Sequence, residues 1–181
     1  KTAGISPIMR IGLAQRLLSV LKIIGYYLSN FFFPHRLAIA QHWIVKQVAW
    51  LEFFKPLSLI AILLSLWSGL WLWLKKNKQR LLFFYFFTFW LIIGLGIHLQ
   101  IFPLDMTVAD RWFYLPMIGL LGVLAVAISQ LFKIIKSPKI FFILGGGVVL
   151  ALLARSALRV ANWRDGLTLF GHDIAISQNA F

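Results

Sequence analysis

The residues best suited to chemistry sit in one short segment, Pro103-Leu-Asp-Met-Thr-Val-Ala-Asp-Arg-Trp-Phe-Tyr-Leu-Pro116, which sets Asp105, Asp110 and Arg111 between two long apolar runs. Two readings of it stand side by side. In one, Asp110 and Arg111 form an ion pair that closes a tight loop, and Trp112, Phe113 and Tyr114 belong to an aromatic belt. In the other, Arg111 holds an anionic group such as a phosphate, because a guanidinium presents a planar fork of donors matched to phosphate oxygens. Asp105 is either a further polar contact or an ordinary solvated loop aspartate. His35 and His42 lie seven residues apart, close to one face of a helix, but no third ligand is near, so the segment does not make a metal site. His98 and Gln100, near the end of an apolar run, either line a path for a substrate or bond between helices.

The elements that must position these groups are membrane helices. Hydrophobic residues make up 61% of the 181 residues and charged residues only 13%, against roughly 25% charged in a soluble domain. Runs of about 20 apolar residues match a hydrocarbon core of roughly 30 Å. Residues 56–74 and 81–102 carry no charge; 115–132 and 140–154 are shorter and equally apolar. A further span over 11–33 contains Arg16 and Lys22, which either snorkel to an interface or mark a segment lying partly in the membrane plane. The fold class expected is all-α integral membrane, with about five transmembrane helices and additional interfacial helices. Residues 1–155 form the polytopic region, and 156–181 form an outer amphipathic helix. Gly145-Gly146-Gly147 lies within a span and reads as a close helix-packing site.

The chain has 18 Lys and Arg against 5 Asp and Glu, a net charge of +13. Most of the basic residues fall in short segments between apolar runs, so they act as topology signals and contacts to membrane lipids, and nucleic acid is not an expected partner. With the N-terminus inside, nine basic residues and no acidic one fall on the inner side, whereas seven basic residues and every acidic one fall outside. The expected location is therefore a bacterial inner membrane or its equivalent, with the polar site on the outer or periplasmic side. No cysteine is present, which excludes disulfides and thiolate chemistry. The chain opens on Lys1 and shows no signal-peptide pattern, which points to a processed or truncated form of something longer.

Phe33-Pro34 marks a helix exit, and Trp43, Trp50, Phe53 and Phe54 suggest an interfacial helix in the 34–55 loop. Near the end, Asn162 can cap a helix with Asp165 in the first turn, followed by the stripe Trp163, Leu167, Phe170 and Ile174.

Ala109-Asp110-Arg111-Trp112-Phe113-Tyr114-Leu115-Pro116-Met117-Ile118-Gly119 resembles the A-[DE]-R-x-x-Y-L-P-x-[IV]-G signature of TPR-containing membrane glycosyltransferase-like proteins, the TMTC-like family and its bacterial relatives. Asn162-Trp-Arg-Asp-Gly-Leu-Thr-Leu-Phe-Gly-His172 and Phe33-Pro34-His35-Arg36-Leu37 are similar to two further stretches of that family, in the same order. The pair Trp112-Phe113 departs from the family's smaller residues. The resemblance implies a GT-C-like fold and transfer of a sugar from a polyprenyl-phosphate carrier to a protein or lipid acceptor. The catalytic carboxylate would lie upstream of Lys1, and a TPR region binding the acceptor or a partner would follow Phe181. The resemblance then implies that Arg111 contacts the carrier phosphate, that Asp110 orients Arg111, and that Tyr114 donates a hydrogen bond to a sugar or phosphate oxygen, with Asp105 a weaker candidate beside them. No cofactor is evident apart from the lipid-linked donor; the sequence leaves a divalent metal open. The alternative is a non-catalytic membrane anchor presenting a TPR module. A transporter finds little support, because no span holds a buried charged pair and no repeated halves are visible.

Overall fold

The computed structural model describes residues 6–34, 37–135 and 138–176, and it is all-helical. Six α-helices follow one another: α1 (Leu13–Phe32), α2 (Lys55–Leu74), α3 (Lys78–Gly96), α4 (Tyr114–Ile134), α5 (Pro138–Val160) and α6 (Gly166–Ile176). Four helical stretches are long and apolar enough to cross a membrane: Trp50–Leu74, Lys78–Gly96, Asp110–Ile134 and Lys139–Trp163. These contain α2 to α5. The chain is thus an all-α membrane protein, with four such helices among the described residues where about five were expected.

α1 forms over the expected segment but is not among the four. Its register against the neighbouring chain gives its direction. Val45 N–H donates to Ser19 Oγ at 3.1 Å, Lys22 meets Glu52 at 2.6 Å, and a Cβ on Gly25 would touch Pro56 Cβ at 3.1 Å. Both partners advance in the same order, so α1 starts at the end of the bundle where α2 starts and runs alongside it. Residues 37–49 then return along α1. Arg10, at the head of α1, consequently lies at the end where α2 begins, and not with the lysines of the α2–α3 turn, where the charge pattern alone would put it. Lys22 needs no snorkelling, because Glu52 and the face of Trp43, 4.4 Å away, receive its ammonium.

The 34–55 loop also differs from expectation. Residues 37–49 form no helix, and Trp50–Phe54 is a π-helical turn continuous with α2. Of the aromatic residues expected in a separate interfacial helix, Trp50, Phe53 and Phe54 therefore extend the span itself, and Trp43 lies in the non-helical return.

α2, α3 and α4 pack as an antiparallel up-and-down set. Trp67 Nε1 donates to Thr88 Oγ1 at 3.1 Å and Trp71 Nε1 to Tyr85 Oη at 2.8 Å, joining α2 to α3. The α3–α4 seam is closer still. A Cβ on Gly119 would stand 2.6 Å from Leu91 N and 2.7 Å from Phe87 O, and one on Gly122 would run into the Phe87 ring. Without a hydrophobic drive between helices in lipid, such close backbone approach is a main source of association. A Cβ added at Gly145, Gly146 or Gly147 would meet nothing within 4 Å among the described residues, whereas one on Gly94 would stand 3.0 Å from Pro116 N, so the seam glycines are Gly94, Gly119 and Gly122 and not the expected triplet. α5 is the least covered element, with none of its apolar window buried; in a bilayer its side chains are left to hydrocarbon. Ile23, Tyr27 and Leu28 of α1 join Leu91, Val108, Phe113 and Leu120 in one buried cluster, so the second half of α1 wedges against the last turns of α3 and the head of α4.

Candidate functional site

The wedge of α1 brings Tyr26 and Tyr27 against the head of α4. Tyr27 is buried; its hydroxyl donates to Ala109 O at 3.3 Å and accepts from Ala109 N–H at 3.4 Å. Its ring stacks on Phe113 with centroids 5.1 Å apart. Tyr26 Oη donates to Asp110 Oδ1 at 2.6 Å and accepts from Gln41 Nε2 at 3.4 Å. The same carboxylate accepts from the Ala38 backbone N–H.

The returning segment is pinned to the 103–109 loop by a short antiparallel bridge. Gln41 N–H donates to Val108 O at 2.9 Å and Thr107 N–H to Gln41 O at 3.0 Å. Side chains repeat the tie: Thr107 Oγ1 donates to Trp43 O at 2.7 Å, and Trp43 Nε1 to Gln41 Oε1 at 2.9 Å. Gln100 closes the loop from below. It is fully buried, takes φ 60°, donates from Nε2 to Met106 O and Thr107 O, and accepts from Leu104 N–H. A positive φ is costly for a residue with a side chain, and these three bonds offset it. Gln100 is therefore a loop brace, not a lining residue of a substrate path. It also explains why α3 stops at Gly96, short of Phe102.

α6 completes this end. Asp165, and not Asn162, is its cap: Thr168 N–H donates to Oδ1 at 2.8 Å and Thr168 Oγ1 to Oδ2 at 3.0 Å. These bonds hold the Asp165 carboxyl below the usual carboxylate range. Asp173, nearly fully buried, accepts from Ile39 N–H at 2.8 Å and faces Arg159 at 3.8 Å. Arg159 also lies 2.9 Å from His172 Nδ1, and its charge acts on Asp110. The charged helix ends thus converge on the loop that follows α1.

The expected site residues divide in this geometry. Asp110 turns inward to Tyr26 and Ala38, so it does not orient Arg111, and the expected Asp110–Arg111 pair does not form. Arg111 is exposed, and its one bonded neighbour among the described residues is Met106 Sδ at 4.0 Å. Tyr114, three residues further on the turn into α4, is 67% exposed, so a phenol and a guanidinium are both open at the helix head. Asp105 is exposed in the same loop. His98 stacks on Trp112 with centroids 5.1 Å apart, and its buried Nδ1 has no partner among the described residues. Burial pushes its pKa below the ordinary histidine value and keeps the ring neutral. His42 Nδ1 lies 3.3 Å from Ser6 Oγ, while His35 lies outside the described residues. Among the described residues no three His, Asp or Glu side chains gather as a metal site.

Tyr26, Gln41, Arg159 and Asp173 were not singled out from the sequence. The available signal was the Tyr26-Tyr27 pair in the one apolar helix that also carries Arg16 and Lys22. The resulting arrangement holds one loop rigidly from beneath and leaves a guanidinium and a phenol open above it, which suits capture of an anion at a membrane boundary. Comparison with protein-family models, curated proteins and solved structures found no match.

Proposed function

We propose that the chain is part of a membrane glycosyltransferase of GT-C-like fold, acting at the outer or periplasmic face. In this reading Arg111 binds the phosphate of a polyprenyl-phosphate sugar carrier, and the sugar passes to a protein or lipid acceptor. The observation that carries it is the exposed Arg111 guanidinium, with no carboxylate partner among the described residues, at the head of an apolar helix beside Tyr114. An arginine whose neighbouring aspartate is already engaged by Tyr26 retains its fork for a ligand. A fork at the head of an apolar helix suits a lipid-borne phosphate, with the polyprenyl tail against the apolar helices.

A second reading, a membrane anchor presenting a TPR partner-binding module, draws support from α6. The stripe Trp163, Leu167, Phe170 and Ile174 is exposed, with Leu167 at 90%, as a face awaiting a further helical layer would be.

The test is binding of a long-chain polyprenyl phosphate, against the matching polyprenol, to the chain in lipid nanodiscs. The unsubstituted chain is expected to prefer the phosphate, and Arg111→Ala to lose that preference by tenfold or more, about 1.4 kcal/mol and within the range of a charge-assisted bond. Arg111→Lys should keep part of it, since a point charge remains without the fork. Equal binding of phosphate and alcohol by the unsubstituted chain would favour the anchor reading.

A further inference from the structure

The end of the bundle opposite the polar site holds a cleft that the proposed function does not use. It lies where the α2–α3 turn meets the last turns of α4, has a volume of about 460 Å³, and is lined by Leu72, Trp73, Lys76, Asn77, Gln130 and Lys133. Its two cations come from different elements and are both exposed. The polar groups between them are fixed. Asn77 accepts from Arg80 N–H at 3.1 Å as the cap of α3, and the Arg80 guanidinium donates to Gln130 Oε1. The remaining wall, Leu72 and Trp73, belongs to the span Trp50–Leu74 and is exposed along its side.

Charge at this end has one sign. Lys75, Lys78 and Arg80 at the α2–α3 turn and Lys139 at the start of α5 share this end, while every acidic residue of the chain, Glu52, Asp105, Asp110, Asp165 and Asp173, lies outside the cleft and toward the other end of the bundle. We infer that this cleft binds an acidic phospholipid, its phosphodiester between Lys76 and Lys133 and its acyl chains along Leu72 and Trp73. A zwitterionic headgroup would bring its own cation among the lysines with no carboxylate to receive it. A soluble phosphate would leave the apolar wall unused. Basic clefts between helices at the membrane surface suit anionic headgroups for these reasons, and the inference stands independently of what Arg111 binds.

The experiment uses the full chain in nanodiscs of phosphatidylcholine containing a minority of phosphatidylglycerol, with retained lipids counted by native mass spectrometry. The unsubstituted chain should retain phosphatidylglycerol in excess of its share of the bilayer. The K76Q/K133Q variant should bind it about thirtyfold more weakly, as expected from roughly 1 kcal/mol per surface lysine. The K75Q/K139Q variant removes the same charge from outside the cleft and should retain most of the binding. Equal loss in both variants would assign the effect to the basic surface as a whole and overturn the site, as would no loss in either. Circular dichroism of each variant checks that the helices are intact. Displacement of the lipid by free glycerol phosphate at comparable concentration would overturn the role of the acyl chains.

Discussion

Gly119→Ala is expected to destabilise the protein by about 3 kcal/mol, at the upper end of ordinary overpacking. The added methyl would stand 2.6 Å from Leu91 N and 2.7 Å from Phe87 O, both backbone atoms that cannot rotate away. The helices must separate, and the second half of α3 would lose its contacts with the first half of α4. Since the α1 wedge packs on the same residues, Leu91 and Leu120 among them, loosening should extend to the polar end. Gly122→Ala meets the side chain of Phe87 and not its backbone, and a side chain can turn about its own bonds where a backbone cannot, so its cost should be smaller. Gly145→Ala enters open space and should be neutral or slightly stabilising, because alanine is the better helix former. Thermal unfolding in a mild detergent, followed by circular dichroism, orders the three variants. Similar midpoints for Gly119→Ala and Gly145→Ala would show that the seam is not where the backbones meet.

Asp110→Ala is the second large effect, at about 3 kcal/mol. It leaves the Tyr26 hydroxyl and the Ala38 N–H without their acceptor and Arg159 without one of the charges that it faces. Stranding buried partners costs more than the net worth of the bonds that held them. Asp110→Asn keeps an acceptor in place and should cost about 1 kcal/mol. A double-mutant cycle with Tyr26→Phe isolates the pair and should give a coupling of about 1.5 kcal/mol. Arg111→Ala, in contrast, should leave stability nearly unchanged. If Arg111→Ala destabilised the protein as much as Asp110→Ala, the adjacent ion pair would be the better account of both residues.

Those contrasts also mark what the sequence made legible. The charge-free runs located the helices, since nothing but hydrocarbon would solvate them, and the acidic residues were visibly kept from the lysines of the α2–α3 turn. The direction of α1 was hidden because Lys22 finds Glu52 thirty positions later, a pairing that no local pattern announces. Asp110 beside Arg111 suggested a pair, yet successive residues entering a helix point apart, and a tyrosine 84 positions earlier takes the carboxylate. Three consecutive glycines looked like a packing signal, but they lie within α5 and meet no neighbour among the described residues. Gly119 and Gly122, three apart and hence on one face, supply the contact instead. Gln100 gave no sign of its role, since a buried amide bracing a loop is defined by carbonyls that only the fold brings to it.

The absence of cysteine makes one measurement direct. Single cysteines at Met9, Phe102 and Lys76 can be labelled with a membrane-impermeant maleimide in intact cells and again after permeabilisation. Met9 and Phe102 are 40% and 81% exposed; the first lies at the head of α1 and the second in the loop before the polar site. Met9→Cys and Phe102→Cys are expected to label in intact cells, and Lys76→Cys only once the membrane is opened. Labelling of Met9→Cys together with Lys76→Cys, and apart from Phe102→Cys, would contradict this: α1 would then cross the membrane, and the wedge that positions Asp110 and frees Arg111 would not exist.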